Sequence, residues 1–453
     1  MNKRNAKEKR LRPQKILVVG GYGYKNTGDE AQLSVVIKRL STCFPNHFVK
    51  ILTPDQHYTY MTHNHCAVGE APRIAFFRAG ENLGYSFIND NENRSILHKL
   101  ANIIYRRFFL WKSQWVYINA RLIKAGLPTI LLSPDAAGLL YDLQTSDMLY
   151  FEGGGYLTGA TLSRLWDGIL MCRLAKLFNV SVAMSGQTIG AWNTTFNKRY
   201  AYKGFKYVKL ITLRDALYSP QALEEIGISG THIYPVCDDA LFCDKQQNTD
   251  VIDSLFKNSS IDEKFIENGY YVVNIHDWGV NSEEDRNKLL KYLHKLIEYT
   301  LDISQKNIIF IPMTPSDVDY MERYLNEYPS NQIKIFKYDF DFRNIRAVIS
   351  SAYACITMKH HPIIFAAGEH VPVISVNRSA YYEHKNKGAL NILGIEDFSI
   401  SLEDIQHFEK YKTLFNRIED NRDKIVQQIV KTQVEIKATI KKFENDLKKI
   451  ITE

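Results

Sequence analysis

The chain contains no apolar run near the ~20 residues that a membrane-crossing helix needs. Its most apolar early segment, Ile16–Val19, is too short for the core of a secretory leader. These two absences predict a cytoplasmic protein, with attachment to the inner face of a membrane as the open alternative. Cysteine is sparse: six residues, Cys43, Cys66, Cys172, Cys237, Cys243 and Cys355, stand apart without C-x-x-C spacing. That disfavours a disulfide framework and a thiolate zinc site, and predicts buried thiols. His57, His63, His65 and Cys66 lie close in sequence but fit no common zinc spacing, so no metal is expected.

Positive charge is also missing from most of the chain. The net charge is +7, and residues 1–15 hold Lys3, Arg4, Lys7, Lys9, Arg10, Arg12 and Lys15 against Glu8 alone. A nearly neutral body argues against a nucleic-acid partner, which would spread the charge over the fold. Residues 1–14 form a basic arm, read first as a solvated flexible end, second as a contact to anionic lipid headgroups, and third as a nucleic-acid arm.

What is present is a foldable body. Apolar residues make up 45% and charged residues 24% of 453, enough core for two domains. Short β-rich runs alternate with amphipathic stretches, the pattern of parallel sheets crossed by helices. Strands are predicted at Lys15–Val19, Phe48–Leu52, Met148–Phe151, Val180–Met184 and Leu210–Leu213. A second series is predicted at Tyr270–Ile275, Asn307–Met313, Ile333–Tyr338, Tyr353–Met358 and Val371–Val376. The reading is α/β: two facing, Rossmann-like, doubly wound domains over residues 15–245 and 266–410. The boundary falls in the polar stretch 244–268, whose composition serves poorly as core. From Ile425 onward Ile429, Ile436, Ile440, Phe443, Leu447 and Ile450 share one helical face, which predicts a long helix within the terminal segment 411–453. Packing across both domains is favoured over a coiled-coil seam. A homo-oligomer is compatible with the sequence but not required by it. Residues 56–145, rich in aromatics, read as an insertion that touches an acceptor or a membrane surface.

In open α/β sheets ligands collect beyond the carboxyl ends of strands, so the chemistry is sought there. The first strand runs into Gly20-Gly21-Tyr22-Gly23-Tyr24-Lys25-Asn26-Thr27-Gly28-Asp29-Glu30-Ala31. Glycines permit close backbone approach to a ligand, and the amino end of the next helix offers N–H groups to an anion. A ligand role for Asn26 and Asp29 competes evenly with a tight turn and helix cap. Another strand ends in Glu152-Gly153-Gly154-Gly155-Tyr156-Leu157, whose three glycines imply close approach by a ligand or another segment. Gly186-Gln187-Thr188-Ile189-Gly190 and Arg214-Asp215 end the next two. Arg214 suits bidentate binding of a carboxylate or phosphate, against the plainer alternative of a salt bridge with Asp215. Asp238 and Asp239 read as turn caps. In the second half, Lys359-His360-His361 at a helix amino end makes an anion site with a titratable donor. Tyr382, His384 and Lys385 follow the next strand and are placed as acceptor contacts.

In this order the segments resemble the polysaccharide pyruvyl transferase family, from Lys15 to about Gly394. N-x-G-D-E-A is matched at Asn26–Ala31, G-G-G-x-L at Gly153–Leu157, G-Q-T-I-G at Gly186–Gly190 and R-D at Arg214-Asp215. R-x-H before I-x-A is matched at Lys359-His360-His361 before Ile364, with Lys359 in place of the arginine and Ala191 in place of a following proline. The resemblance implies a fold similar to the glycosyltransferase-B architecture, phosphoenolpyruvate as donor, and no cofactor. It implies a sugar acceptor, free or lipid-linked, in a capsule or exopolysaccharide precursor, with a ketal as product. On that basis Arg214 and Lys359 hold the donor, and Gly21, Gly23, Asn26, Gly153, Gly154, Gly155, Gln187 and His360 line its site. His361 is the general acid and Asp29 orients or deprotonates the acceptor. Two rivals stand beside this: a nucleotide-sugar glycosyltransferase or epimerase, and a non-catalytic glycan-assembly protein.

Overall fold

The computed structural model describes residues 14–64, 66–70, 96–230, 232–277, 279–280, 282–378, 380–402 and 408–452. The basic arm up to residue 13, His65 and residues 71–95 of the expected insertion lie outside these described residues.

Two parallel sheets organise the chain. The first comprises β1 (Lys15–Val19), β2 (Phe48–Thr53), β3 (Ala67–Glu70), β4 (Met148–Phe151), β5 (Gly154–Thr158), β6 (Ser181–Gly190), β7 (Val208–Leu213) and β8 (Ile233–Pro235). Their order is β3-β2-β1-β4-β6-β7-β8, with β5 beside β6. The second comprises β9 (Tyr270–Asn274), β10 (Asn307–Phe310), β11 (Ile333–Ile335), β12 (Ala354–Thr357), β13 (Val373–Asn377) and β14 (Ser399–Ser401), in the order β11-β10-β9-β12-β13-β14. Central strands such as β4 and β9 are buried along their whole length, because helices cover both faces of a parallel sheet. Chain order reverses between β1 and β4 and between β9 and β12, so each sheet opens a crevice at its carboxyl edge.

Seven helices matter below: α1 (Thr27–Cys43), α2 (Ile96–Lys124), α3 (Tyr218–Glu225), α4 (Pro315–Glu327), α5 (His360–Gly368), α6 (Ala380–Ile392) and α7 (Glu409–Thr452). α7 kinks at Asn421 and spans both sheets. Arg422 Nε donates to Tyr353 O (3.1 Å) in the second unit. Further along, Tyr234 OH donates to Asp446 Oδ2 (2.6 Å) and Ser181 Oγ to Ile450 O (2.9 Å) in the first. One apolar cluster runs from Ile16 and Val18 through Tyr271 to Ile429, so the two units share a core.

The polar stretch 244–268, where the domain boundary is expected for a composition that serves poorly as core, contributes apolar side chains to the shared core. It folds into helices Thr249–Asn258 and Glu263–Glu267, capped by Asn248 and Asp262, and buries Phe256, Ile261 and Phe265 in that shared cluster. Asn307 Nδ2 on β10 donates to Phe265 O (2.8 Å), fastening the stretch to the second sheet. Each short helix presents one apolar face, which overall composition hides.

Candidate active site

The strand-end residues gather on the seam between the two units. Arg214 follows β7 and is 1% exposed. Its Nε donates to Thr188 Oγ1 (2.7 Å) and its Nη1 to Asp238 Oδ2 (2.8 Å). Nη2 is buried with no hydrogen-bond partner among the described residues. Asp215 is not its ion partner: Oδ1 of Asp215 accepts from the amides of Tyr218 (2.7 Å) and Ser219 (2.8 Å) and so starts α3.

Asp238, fully buried, is the hub. Its Oδ1 caps Ala240 N (2.9 Å), as the turn-cap reading expected. Its Oδ2 accepts from Gln32 Nε2 (2.6 Å), Arg214 Nη1 (2.8 Å) and His360 Nε2 (3.2 Å). Burial alone would push this carboxyl up, but the His360 hydrogen bond and the Arg214 charge overcome it and hold Asp238 well below the usual carboxylate range. Burial and Arg214 push His360 down to about 3. A neutral imidazole facing a carboxylate must carry its proton on Nε2.

His361, the second residue of α5, lies against Gly28 at the start of α1. A Cβ on Gly28 would sit 1.9 Å from His361 Nδ1, so only glycine fits. Around this contact Thr27 N donates to Met313 O (3.2 Å), and Thr27 Oγ1 meets Tyr338 OH (3.1 Å). The N-x-G-D-E-A segment is therefore where the units touch. His361 Nε2 is 3.9 Å from Asp29 Oδ1 and 3.8 Å from Asp238 Oδ2, and has no hydrogen-bond partner among the described residues. Burial holds its pKa well below 6.5, correcting the expectation that this imidazole titrates near neutrality. Two neighbours do titrate there. Burial raises Asp29 to about 6 against the pull of Lys385 and Arg214. Burial and Arg214 lower Lys385 to about 7.

Several expected donor contacts are engaged within the protein. Asn26 Oδ1 accepts from Gly28 N (3.1 Å) and caps α1, so the cap reading wins. The Gly21 amide donates to Glu152 Oε2 (3.1 Å), and the Gly23 amide, at φ +83°, donates to Glu30 Oε1 (2.8 Å). A Cβ on Gly153 would meet Gln32 Nε2 at 2.9 Å and Gly186 O at 3.0 Å. Gly154 has φ +153° with the Tyr156 ring against it, and Gly155 O accepts from Thr158 Oγ1 (3.0 Å). The segment that approaches these glycines closely is protein. Gln187 Nε2 donates to Glu152 O (2.6 Å), which leaves its Oε1 without a partner among the described residues. Lys359 Nζ donates to both oxygens of Asp317 (2.6 and 2.7 Å) and to Thr314 Oγ1 (3.1 Å) at the start of α4, rather than joining Arg214. His63 Nε2 pairs with Glu30 Oε2 (2.8 Å).

Of the expected acceptor contacts, only Lys385 is drawn electrostatically into the Asp29–Arg214 cluster. His384 stacks on Tyr218 across the seam (centroids 4.2 Å), and Tyr382 lies 5.4 Å from the His276 ring. Sequence reasoning passed over four participants: Asp238 as hub, Gln32, Thr188 and Glu152. Glu152 is fully buried, and burial together with Asp29 raises its carboxyl well above 4.5. Its position before the glycine run was the available signal.

The family model for polysaccharide pyruvyl transferase matches residues 26–380, from the cap of α1 to the first residue of α6. The chain belongs to the polysaccharide pyruvyl transferase family. The family match thus contains Asp29, Arg214, Asp238, His360 and His361, while Lys385 lies just beyond it. No curated protein matches the chain. Among solved structures, the UDP-GlcNAc 2-epimerase of Methanocaldococcus jannaschii is 14% identical, with a TM-score of 0.52 over 89% of this chain and 93% of that one. A putative UDP-N-acetylglucosamine 2-epimerase from Listeria monocytogenes is 9% identical, with a TM-score of 0.52 over 92% and 91%. The S. aureus MnaA–UDP co-structure is 10% identical, with a TM-score of 0.51 over 92% and 90%. At these identities the likeness is one of fold: this pyruvyl transferase family member has the two-unit arrangement of glycosyltransferase-B enzymes and epimerases, with a long C-terminal helix.

Proposed function

We propose that the chain moves the pyruvyl group of phosphoenolpyruvate onto two hydroxyls of a sugar in a cell-surface polysaccharide precursor, forming a ketal. The observation that carries this reading is the pair Arg214 Nη2 and His361 Nε2, both buried, both beside Asp238 and both without a partner among the described residues. A guanidinium braced by Thr188 and Asp238 presents a fixed N–H to an oxygen of the donor's carboxylate or phosphate. Lys385 supplies a second cation. The amino end of α5, which has no side-chain cap, adds backbone amides. Lys359 is already neutralised by Asp317, so it steadies the α5 turn. Because Arg214 and His361 are only 1% and 7% exposed, the units part to admit the donor.

The chemistry moves two protons: each hydroxyl gives one up, and the methylene carbon and the departing phosphate each gain one. The donor's methylene carbon gains a proton and becomes the methyl group, while the first hydroxyl oxygen bonds to the central carbon and loses its proton to Asp29, which replaces the one delivered. The bond from that carbon to the bridging phosphate oxygen breaks. The second hydroxyl then closes the ketal, and its proton leaves with the phosphate. In the ligand-free protein the exchangeable proton sits on Asp29 or Lys385. His361, within 3.9 Å of Asp29, takes it up once the donor's negative charge raises the imidazole, and delivers it as general acid. No step requires a metal or a nucleotide.

Thermal unfolding with and without millimolar phosphoenolpyruvate tests this, with UDP as the comparison because one structural neighbour carries it. A raised midpoint with phosphoenolpyruvate alone is expected. A rise with UDP alone would favour a nucleotide-sugar epimerase or glycosyltransferase, and a rise with neither would count against donor binding by the free protein.

A further inference from the structure

Helix α2 is apolar on two opposite sides. Phe109, Ser113, Val116, Ala120 and Ile123 form its buried side, and Phe109 packs on Trp166 at a centroid distance of 4.7 Å. The outer side carries Ile104, Phe108, Trp111 and Ile118, separated by four, three and seven residues and therefore on one stripe. Ile104 is 67% exposed and Trp111 63%. The turn after α2 extends the stripe: Trp115 Nε1 donates to Leu131 O (3.4 Å), and Asn119 Oδ1 accepts from Ile130 N (2.7 Å). Leu131 is 90% exposed and is held at φ +46°, a conformation that a leucine rarely adopts.

The charge on α2 is one-sided. Its 29 residues include Lys99, Arg106, Arg107, Lys112, Arg121 and Lys124 and no aspartate or glutamate. Arg107 and Arg121 are exposed beside the stripe, and Lys112 Nζ lies 4.7 Å from the centre of the Phe108 ring. Exposed tryptophan and aliphatic side chains flanked by cations, with no acidic residue on the same helix, are complementary to a bilayer surface bearing negative headgroups. Among the described residues no helix is long and apolar enough to cross a membrane, so such a helix lies in the surface plane.

We propose that the outer face of α2, continued by Leu127, Ile130 and Leu131, seats the protein on an anionic lipid surface. This goes beyond pyruvyl transfer and does not depend on it. The seat is rigid, because the opposite face of α2 is locked into the core by Phe109, Val116 and Ile123.

Co-sedimentation of the full chain with phosphatidylcholine vesicles, with and without about one third phosphatidylglycerol, tests the proposal. Binding to the anionic vesicles is expected for the wild type and for a chain lacking residues 1–13. The double variant Trp111→Glu/Ile118→Glu should bind at least about tenfold less while keeping its circular dichroism and melting midpoint, since both side chains are exposed. Brominated lipids should quench tryptophan emission in the wild type and less in Trp111→Phe. Equal binding to both vesicle types, unchanged binding by the double variant, or loss only on deleting residues 1–13 would each overturn it. So would a wild-type dimer that the double variant converts to a monomer without any vesicle binding, because a second copy would then own this face.

Discussion

Substituting alanine for Gly28 probes the contact that joins the two halves of the site. Gly28 lies in the first turn of α1 and does not have a positive φ, so its backbone accepts alanine. The obstacle is the His361 ring, whose Nδ1 and Cγ would lie 1.9 and 2.0 Å from the new Cβ. Overpacking of this kind destabilises by about 1–3 kcal/mol. If His361 is first replaced by alanine the obstacle is gone, and Gly28→Ala instead gains up to about 1 kcal/mol of helix propensity. The same substitution should therefore change sign between backgrounds, a coupling of roughly 1–4 kcal/mol. Thermal unfolding of wild type, both single variants and the double variant measures it, and the sign of the midpoint shift needs no two-state assumption. In the Gly28→Ala protein His361 is displaced, and a shift of ~1 Å should lower turnover on the order of 10²-fold. Equal destabilisation in both backgrounds would refute the argument.

Arg214→Ala should destabilise by about 3–5 kcal/mol, because Asp238 stays buried without its guanidinium. Arg214→Ala/Asp238→Asn should recover much of that stability but not the phosphoenolpyruvate-induced rise in midpoint; recovery of both would remove Arg214 from donor binding. Asp29 has a folded pKa of about 6 against 3.8, so its stabilising contribution is full below pH 3.8 and is lost as pH rises through 6. Asp29→Asn should accordingly gain on the wild type across that interval by at most about 3 kcal/mol, and a gap independent of pH would contradict the assignment. Lys359→Met should lower stability by about 1–3 kcal/mol, because Asp317 loses its ammonium while keeping the amides of Met313 and Thr314. Its donor-induced midpoint shift should remain; loss of that shift would return Lys359 to the donor site.

Much of the architecture was legible because parallel strands buried on both faces are unbroken apolar runs. Lys15–Val19 and Met148–Phe151 end where the sequence reading ended them. The strands that escaped, Ala67–Glu70, Ile233–Pro235 and Ser399–Ser401, are edge strands of three or four residues, too short to show a period. Gly154–Thr158 escaped for another reason: glycines weaken the strand signal, and close approach was credited to a ligand when Tyr156, Gln32 and β6 provide it. At the site, motif order along the chain carried the family, but the hub did not show. Asp238 meets Gln32 across 206 residues and His360 across 122, pairings that no local pattern encodes. Local spacing also says nothing of burial, which makes His361 neutral and brings Asp29 and Lys385 into the neutral range.

The central claim is pyruvyl transfer from phosphoenolpyruvate. Its most direct test is phosphate release from phosphoenolpyruvate by the purified chain, with and without a sugar acceptor bearing two neighbouring free hydroxyls, followed by mass analysis of the acceptor. Phosphate and ketal should form in equal amounts, only when acceptor is present, and neither with His361→Ala. Phosphate release that needs no acceptor, or turnover of a nucleotide sugar in place of phosphoenolpyruvate, would contradict it.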